Sequence, residues 1–333
     1  MTDTSSHEHE GEQPESRLFL SCDFVGSTRF KQASGSEHLW QAKFLAFYNE
    51  FPRKLNEEAG VNASEWQLWK PIGDELVFSR RVLSEDDVTG SVLTWLETMK
   101  WFKSDVLEDT PDMDVKGGAF IATFPGPDTR VVIPRTPSES QGVDPLAVNQ
   151  RLCMEPEDHT KYVYDYIGPS IDTGFRVLSY SSIRYFTMSL EVAWAIAQTK
   201  AIRNSISAKK VKGLHLCLLD TVELKGIWRG RAYPLFAIDR QAKDRINQAL
   251  ARFEPHPPDI GRIQQLCEAC FADGSWPSQL YLPKSTNEQF TKFSPNSLSL
   301  YIPTTMDGAE KMVSDDDTTT GASLPADAPL GAK

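Results

Sequence analysis

Near its amino terminus the chain reads Arg17-Leu-Phe-Leu-Ser-Cys-Asp23-Phe-Val-Gly26-Ser-Thr28. The first seven residues form a short apolar run that ends in a carboxylate, which predicts a buried strand. Gly26 and the two hydroxyl residues after it predict a turn that leads towards a helix. Backbone N–H groups at the start of a helix can bind a phosphate group. The stretch therefore predicts a strand, a turn and a helix, with a carboxylate beside a phosphate-binding turn.

Outward from this stretch, short apolar runs alternate with helical repeats. The pattern predicts helices over 39–55, 85–106 and 189–204, one beginning at Gly174, and strands over 66–70, 76–78, 115–124 and twice within 215–239. Gly73 and Asp74 lie at the turn of the first hairpin. Residues 125–160 are predicted to be an irregular insertion and residues 163–171 to be mostly extended. The order β-α-β-β-α-β, with further strands after it, predicts an α+β sandwich of the ferredoxin-like kind.

Two carboxylates are predicted at strand ends. Asp23 ends the first strand, and Asp74 lies in the hairpin turn. Neighbouring strands of one sheet can bring such side chains face to face. Hard divalent cations prefer oxygen ligands of this kind, with substrate phosphates completing the coordination shell. Strand-end aspartates are also ordinary in a protein of this size, so the pair alone leaves a metal site and a solvated surface both open.

Composition divides the chain into four parts. Residues 1–15 and 305–333 are polar tails that we expect to be disordered. Residues 16–240 contain all the predicted strands. Residues 241–304 contain two helical segments around a Pro-rich break, and they are predicted to form a small, mostly helical C-terminal extension.

The charge balance excludes some classes of protein. The chain has 35 basic and 46 acidic residues, which gives a formal net charge of −11. Affinity for duplex nucleic acid needs clustered Lys and Arg. A palm-like polymerase, which would share the paired carboxylates, needs a basic track for its template, and no Lys/Arg run supplies one. We therefore expect no nucleic-acid partner.

The same survey bears on location and on the cysteines. No apolar stretch approaches the roughly 18–20 residues that span a bilayer, and the acidic, polar start lacks the features of a secretory signal, so we expect a cytoplasmic protein without membrane insertion. The five cysteines are predicted to be thiols. Cys267 and Cys270, with His256 nearby, leave two alternatives: a zinc site that lacks a fourth ligand, or two side chains packed on one helix face.

Five segments resemble, in order and in spacing, the motifs of class III nucleotidyl cyclases. They are Asp23-Phe-Val-Gly26-Ser-Thr28, Lys70-Pro-Ile-Gly73-Asp74, Asp165-Tyr-Ile-Gly168-Pro-Ser-Ile-Asp172-Thr-Gly-Phe-Arg176, Arg184-Tyr-Phe-Thr-Met-Ser189, and Val222-Glu-Leu-Lys225-Gly226 with Pro234-Leu-Phe236. The resemblance covers about residues 15–240. It implies a ferredoxin-like cyclase catalytic domain that closes with a dimer hairpin. One position departs from the family, because Asp172 stands where the family has Asn.

The resemblance implies a role for the first two motifs. In such an enzyme the 3′-hydroxyl of a nucleoside triphosphate attacks its own α-phosphate, and diphosphate leaves. Asp23, Asp74 and the carbonyl of Phe24 would hold two divalent metal ions, Mn²⁺ or Mg²⁺. The substrate would also be bound by three residues of the turn, Gly26, Ser27 and Thr28.

The third motif would act from the opposite face of the catalytic unit. Lys70 and Asp165 would read the base, and Arg176 would stabilise charge that develops on the α-phosphoryl oxygens. Asp172 is our candidate for accepting a hydrogen bond from a ribose hydroxyl. Because one chain carries both sets of residues, the resemblance implies a homodimer with two equivalent composite sites.

Within this family the chain resembles the antiphage pyrimidine cyclases of the Pycsar systems. The shared features are a cyclase domain without a receptor part, Asp172, the insertion before Asp165 and the helical extension. The resemblance implies conversion of UTP to cyclic UMP, or of CTP to cyclic CMP, and a separate effector that the product activates. Phe47, Tyr48 or Phe51 could narrow the base pocket for a pyrimidine, or could simply pack in the core.

Two other functions stay open at this point. A Lys and Asp pair can hydrogen-bond the edges of all four bases, so a conventional adenylate or guanylate cyclase fits the same residues. A catalytically inactive regulator that only binds nucleotide is the third reading, and the departure at Asp172 is its main support.

Overall fold

The structure, a computed structural model, describes residues 13–33, 37–136, 144–201, 211–253 and 259–294. Its strands are β1 (Glu15–Val25), β2 (Gln67–Ile72), β3 (Glu75–Val82), β4 (Asp114–Phe124), β5 (Thr129–Pro134), β6 (Tyr162–Ile167), β7 (Tyr185–Met188), β8 (Leu216–Glu223) and β9 (Ala232–Asp239). Its α-helices are α1 (Ser27–Gln32), α2 (Glu37–Ala59), α3 (Glu85–Trp101), α4 (Pro145–Met154), α5 (Pro169–Leu178), α6 (Leu190–Ala201), α7 (Arg245–Leu250) and α8 (Ile260–Phe271).

Seven strands form one sheet in the order β2-β3-β1-β4-β7-β9-β8. Strands β1 to β4 alternate with α2 and α3, and their antiparallel neighbours follow the 4-1-3-2 order of a ferredoxin-like βαββαβ unit. Strand β7 joins parallel to β4, and the antiparallel β8–β9 hairpin closes the sheet. The predicted α+β fold class is confirmed, including the ferredoxin-like core and the closing hairpin.

The large sheet is covered on both faces, which explains the apolar run in β1. Leu18 and Leu20 lie in a core shared with α2, α3 and α6. Phe19 points to the other face, where its ring stacks on Phe120 with centroids 5.0 Å apart, in a cluster that includes residues of α5. Successive strand residues point to opposite faces, so a strand covered on both sides reads as continuously apolar.

The structure differs from the predicted elements in three places. The insertion over 125–160, predicted to be irregular, contains β5 and α4. Helix α5 begins at Pro169 and not at Gly174, because proline is favoured in the first helical turn, where its missing N–H costs nothing. The predicted helix over 85–106 is α3 followed by a single π-helical turn over Phe102–Val106.

The helix predicted over 189–204 is α6, and it is buried along most of its length. The reason lies in the C-terminal part of the chain, where α8 packs on α6 and Cys267 and Cys270 enter the main hydrophobic core. The indole of Trp276 donates to Oε1 of buried Glu191 at 3.0 Å. A helix covered from both sides needs no polar face.

The chain divides into two compact units. Among the described residues, the first unit comprises 13–130 and 165–294, and the second comprises 131–164, with α4, most of β5 and the first half of β6. This division does not coincide with the domain boundary predicted near residue 240. That residues 241–304 form a separate extension stays a prediction. The predicted tails lie almost entirely outside the described residues. No helix in the described part of the chain has the length and apolar character needed to cross a membrane.

Candidate active site

Six of the predicted site residues line a single open pocket of about 940 Å³ in the first unit. They are Asp23, Phe24, Gly26, Ser27, Thr28 and Asp74. The rest of the lining comes from the end of β1, from α1, from β4, from the loop before β7 and from the segment after β9, namely Val25, Arg29, Lys116, Ser181, Ser182, Ile183, Arg184 and Gln241. The fold therefore brings the first two predicted motifs together at one end of the sheet.

Asp23 lies in β1, a central strand of the sheet between β3 and β4. In β1 it is in register with Glu75 of β3 on one side and with Lys116 of β4 on the other. Nζ of Lys116 lies 3.3 Å from Oδ2 of Asp23. Burial raises the pKa of the Asp23 carboxyl, the charge of Asp74 raises it further, and Lys116 opposes both effects. Burial is the largest of these causes, so the raised pKa mainly reflects the partly buried position of Asp23 in the sheet.

Asp74 is held in the β2–β3 turn by contacts from three directions. Its carbonyl accepts a hydrogen bond from the backbone N–H of Phe24 at 3.3 Å. Its Oδ2 accepts one from the hydroxyl of Ser27. The hydroxyl of Tyr48 in α2 donates to the carbonyl of Gly73, the preceding residue. These bonds connect the two predicted motifs directly, side chain to side chain and backbone to backbone.

The turn between β1 and α1 depends on Gly26. Its φ of 85° lies in the left-handed region, and a Cβ there would lie 2.5 Å from the carbonyl oxygen of Asp112. Only glycine meets both conditions without strain. Helix α1 then begins at Ser27, whose side chain is buried against the Asp74 turn. The turn residues and the carboxylates therefore share one wall of the pocket.

Charged residues that the sequence reasoning did not assign also belong to this site: Arg29 and Arg184 line the pocket, and Lys116 and Glu75 lie next to Asp23. Lys116 lines the pocket and pairs with Asp23. Glu75 lies beside Asp23 across the β1–β3 pair and accepts a hydrogen bond from the hydroxyl of Ser21 at 2.5 Å. Burial raises the pKa of Glu75, and the charges of Asp23 and Asp74 add to the effect. Lys116 and Glu75 reach the site through strand register, for which the local sequence carries no signal.

The donor set fits a hard divalent cation. Two carboxylates, Asp23 and Asp74, line one pocket, and carboxylate oxygens are the ligands that such cations prefer. Throughout the described ranges no group of three His, Cys, Asp or Glu side chains is gathered around a common centre. The residues available to a metal at this site are therefore this pair and nearby backbone carbonyls.

Lys70 and Asp165 form a second group, outside the lining of that pocket. Nζ of Lys70 lies 2.8 Å from Oδ1 and 3.0 Å from Oδ2 of Asp165. The indole N–H of Trp69 donates to the same Oδ1 at 2.9 Å, and the Lys70 ammonium lies 4.1 Å from the centre of the Trp69 ring. Both charged side chains are half-buried. The two residues predicted to read the base therefore form an ion pair, and the indole of Trp69 packs against it.

Helix α5 carries the other two residues of this group. The ring of Phe175 lies 5.7 Å from that of Trp69, so the helix packs beside the Lys70–Asp165 pair. Asp172 is exposed in the first turn of α5, and Nη1 of Arg176 donates to the Asp172 carbonyl at 2.8 Å. Neither Asp172 nor Arg176 lines the pocket around Asp23. A single chain thus presents the predicted residues in two groups.

The three aromatic residues of α2 do not act together on a base pocket. Phe47 and Phe51 are fully buried and pack against other core rings, including Phe102 at 5.3 Å from Phe47. For these two residues the structure favours the core-packing alternative, because they belong to the core face of the helix. Tyr48 is partly exposed and contacts the turn that holds Asp74. It is the one residue of the three that reaches the site.

The two C-terminal cysteines are packed in α8. Cys267 and Cys270 are buried, and burial raises the pKa of both thiols, that of Cys270 to about 11. A thiol with a raised pKa is a poor source of the thiolate that zinc requires. His256, the third residue of the predicted zinc alternative, lies outside the described residues. The described geometry favours the packing alternative.

No protein-family model and no curated protein matches the chain. Among solved structures, it is similar to the adenylyl cyclase CyaB from P. aeruginosa, with 13% identity over 68% of this chain and 94% of that chain, at a TM-score of 0.45. It is similar to the catalytic core of a rhodopsin-guanylyl cyclase with converted specificity in complex with ATPαS, with 16% identity over 70% and 100%, at 0.43. It is also similar to the guanylate cyclase domain of RhGC from Catenaria anguillulae in complex with GTP, with 15% identity over 69% and 100%, at 0.43.

Proposed function

We propose that this protein is a metal-dependent nucleotidyl cyclase that converts UTP to 3′,5′-cyclic UMP and diphosphate, with CTP as the second-choice substrate. The observation that carries the proposal is the meeting of Asp23 and Asp74 in one pocket, joined through Ser27 and Phe24. Two acidic ligands beside a turn rich in N–H and hydroxyl donors suit a metal-bound triphosphate.

Asp23, Asp74 and the Phe24 carbonyl would hold two divalent ions, Mn²⁺ or Mg²⁺. When bound, these ions would lower the pKa of the attacking 3′-hydroxyl and neutralise charge on the triphosphate. The backbone and hydroxyl groups of the turn around Ser27 would orient the phosphates. Lys116 pairs with Asp23 in this structure. In the substrate complex its ammonium would instead bind a phosphate oxygen, which would hold the negatively charged triphosphate close to the two carboxylates.

The second group of residues would come from a second copy of the chain. Lys70, Asp165, Asp172 and Arg176 lie outside the lining of the pocket that holds Asp23, so one chain would not surround a substrate by itself. An isologous homodimer would place the second group of each copy against the pocket of the other, which gives two equivalent sites.

Arg176 and Asp172 would act on the reacting end of the nucleotide. Arg176 carries a planar guanidinium, and it would stabilise charge on the α-phosphoryl oxygens as diphosphate leaves. Asp172, exposed one turn before it, would accept a hydrogen bond from a ribose hydroxyl. Restoring the family's residue with Asp172→Asn should raise KM for the triphosphate. Unchanged kinetics in that variant would remove Asp172 from the site.

Lys70 and Asp165 would read the base through one donor and one acceptor. This chemistry suits any of the four bases, so the preference for UTP rests on the resemblance to the Pycsar cyclases. The same resemblance supports a role in antiphage defence, in which the cyclic nucleotide is a second messenger that activates a separate effector protein. The location that goes with this role is the cytoplasm.

The test is to incubate the purified chain with ATP, GTP, CTP and UTP separately, in the presence of Mn²⁺, and to identify the products by chromatography and mass. Asp74→Ala should abolish turnover, and Arg176→Ala should reduce kcat strongly while leaving a rate that can still be measured. Asp244→Ala, which removes a surface helix cap on α7, is the matched control. Cyclic UMP as the main product supports the full proposal, whereas a cyclic purine nucleotide makes the protein a conventional cyclase. The absence of any cyclic product would favour a regulator that binds nucleotide.

A further inference from the structure

A buried carboxylate that no motif includes lies at the beginning of α5. Asp128, in the turn after β4, has 0% of its surface exposed. Its Oδ1 accepts hydrogen bonds from the backbone N–H groups of Ser170 at 2.9 Å and Ile171 at 3.3 Å. Its own N–H donates to the carbonyl of Thr123 at 3.2 Å, and its Oδ2 accepts from the Thr123 N–H at 3.3 Å. Asp128 therefore joins the end of β4 to the first turn of α5.

These contacts account for the free donors at the N-terminus of α5. The first N–H groups of a helix have no partner within the helix. Pro169 has no N–H, the next two residues donate to Asp128, and Asp172 already donates to the Gly168 carbonyl at 3.0 Å. Gly168, at the N-cap position, makes no side-chain cap. The carboxylate of Asp128 thus accepts the hydrogen bonds that an N-cap side chain would accept, and the helix dipole favours its negative charge.

Gly168 leaves the room that this carboxylate occupies. Gly168 has a φ of 145°, and a Cβ at that position would overlap Oδ1 of Asp128. The remainder of α5 is fixed to the same strand, since the rings of Phe120 and Phe175 lie 5.8 Å apart. Asp128 therefore supplies the polar anchor of the first turn on the end of β4, beside the apolar packing of Ile171 against that strand.

We propose that Asp128 is a positioning residue, which fixes the first turn of α5 on the end of β4 and thereby orients Asp172 and Arg176 for the reaction. The inference rests on the proposed function for its catalytic consequence. Asp172 directly follows the two residues whose N–H groups Asp128 binds. Arg176 lies one turn further along, with its guanidinium bonded to the Asp172 carbonyl. A first turn that tilts or frays would move both side chains together.

The first part of the experiment measures steady-state kinetics of Asp128→Ala and Asp128→Asn. The alanine variant should lose at least tenfold in kcat with less than threefold change in KM. The asparagine variant retains Oδ1 and should recover most of that loss. Asp259→Ala removes the cap of α8, a core-packed helix that carries none of the predicted site residues, and it should leave kcat within twofold.

A double-mutant cycle with Arg176→Ala separates positioning from plain destabilisation. If Asp128 acts through α5, its replacement should cost much less than tenfold in the Arg176→Ala background, because the group it orients is gone. Full additivity of the two losses would overturn the proposal. Should Asp128→Ala not fold, Asp128→Asn and Asp128→Ser take its place in the cycle.

Hydrogen exchange provides a readout that does not need turnover. The amides of Ser170 and Ile171 should exchange at least tenfold faster in Asp128→Ala than in wild type, with those of α8 unchanged and the asparagine variant protected. Unchanged exchange at both amides would overturn the proposal. A wild-type protein that makes no cyclic nucleotide but shows this local loss of protection would refute the proposed function and leave the anchoring of α5 by Asp128 intact.

Discussion

Lys70 and Asp165 are bound to each other in the free protein, with Nζ of Lys70 2.8 Å from Oδ1 and 3.0 Å from Oδ2 of the carboxylate. Trp69 donates to the same oxygen and supports the ammonium with its ring. A base that uses both groups must therefore insert into, or replace, an existing ion pair. In the proposed function the pair would meet a base edge that offers one donor and one acceptor, and removing either partner leaves the other charge unpaired.

Replacing Lys70 by Gln, or Asp165 by Asn, should lower kcat/KM for the preferred triphosphate about tenfold or more, since a hydrogen bond to a charged group is worth roughly 1.5–3 kcal/mol. The measurement is kcat/KM for each of the four nucleoside triphosphates. Lys54→Gln is the control, because it removes an ion pair of equal length, 2.8 Å from Glu58, on the exterior of α2. Equal losses for all four triphosphates would contradict a role in reading the base.

Replacing Asp23 by Asn should abolish turnover and at the same time raise the melting temperature in metal-free buffer. Burial and the charge of Asp74 raise the pKa of this carboxyl, which means that its ionised form is held at a cost in the folded protein. The variant should melt a few degrees higher, at roughly 2–4 °C per kcal/mol for a protein of this size. Asp112→Asn, at an exposed carboxylate paired with Arg29, should change neither quantity. A lower melting temperature for Asp23→Asn would count against this account of the site.

Replacing Phe51 by Leu should destabilise the protein without changing its choice of base. Phe51 is fully buried, with its ring 5.0 Å from that of Trp95, and the smaller side chain leaves a cavity that costs about 1–3 kcal/mol. Urea unfolding would measure the loss of stability, and product analysis with the four triphosphates would measure the preference for a base.

Tyr48→Phe is the matched change on the same helix. It should leave the stability unchanged and lower kcat, because it removes the hydrogen bond to the Asp74 turn.

These contrasts explain which parts of the molecule sequence reasoning can reach. The strand ending in Asp23, the glycine turn and the hairpin turn at Asp74 are local patterns, and the structure places them together. Lys116 and Asp128 enter through strand register and through a contact with a helix remote in sequence. No local periodicity encodes either relationship, so only the folded chain reveals them.

The errors in element prediction have the same origin. Proline and aspartate favour loops as isolated residues, which made the insertion over 125–160 read as irregular. Pro145, however, begins α4, where Asp144 caps the helix by accepting from the Leu146 N–H at 3.0 Å. Proline and aspartate disfavour the interior of a helix but are favoured at its start. Their position relative to the apolar repeat therefore decides whether they indicate a loop or the beginning of a helix.

Truncation after residue 240 should yield an insoluble or unfolded protein. Residues 259–294 complete the core around α6, and buried Glu85 accepts hydrogen bonds from the hydroxyl of Ser285 at 2.6 Å and the N–H of Thr286 at 3.2 Å. Removing them would expose the apolar surface of α6 and leave that carboxylate unpaired. Circular dichroism and size-exclusion chromatography would measure the result, with truncation after residue 294 as the control. A folded, active fragment ending at 240 would instead support the boundary predicted from the sequence.

The pH dependence of stability should carry the signature of Asp128. Burial raises its pKa from 3.8 to about 6, against hydrogen bonds that favour the charged form. Wild type should therefore be most stable relative to Asp128→Asn below about pH 4. That advantage should fall by roughly 3 kcal/mol as the pH rises through 6, at about 1.4 kcal/mol per pKa unit, and stay constant above. Urea unfolding between pH 4 and 8 measures it. Asp273→Asn is the control for the direction of the effect, because the hydrogen bond from the Ser275 hydroxyl lowers the pKa of Asp273. The stability of wild type relative to that variant should therefore increase as the pH rises from acidic values. A difference between wild type and Asp128→Asn that stays flat across the range would show that the Asp128 carboxyl has no raised pKa.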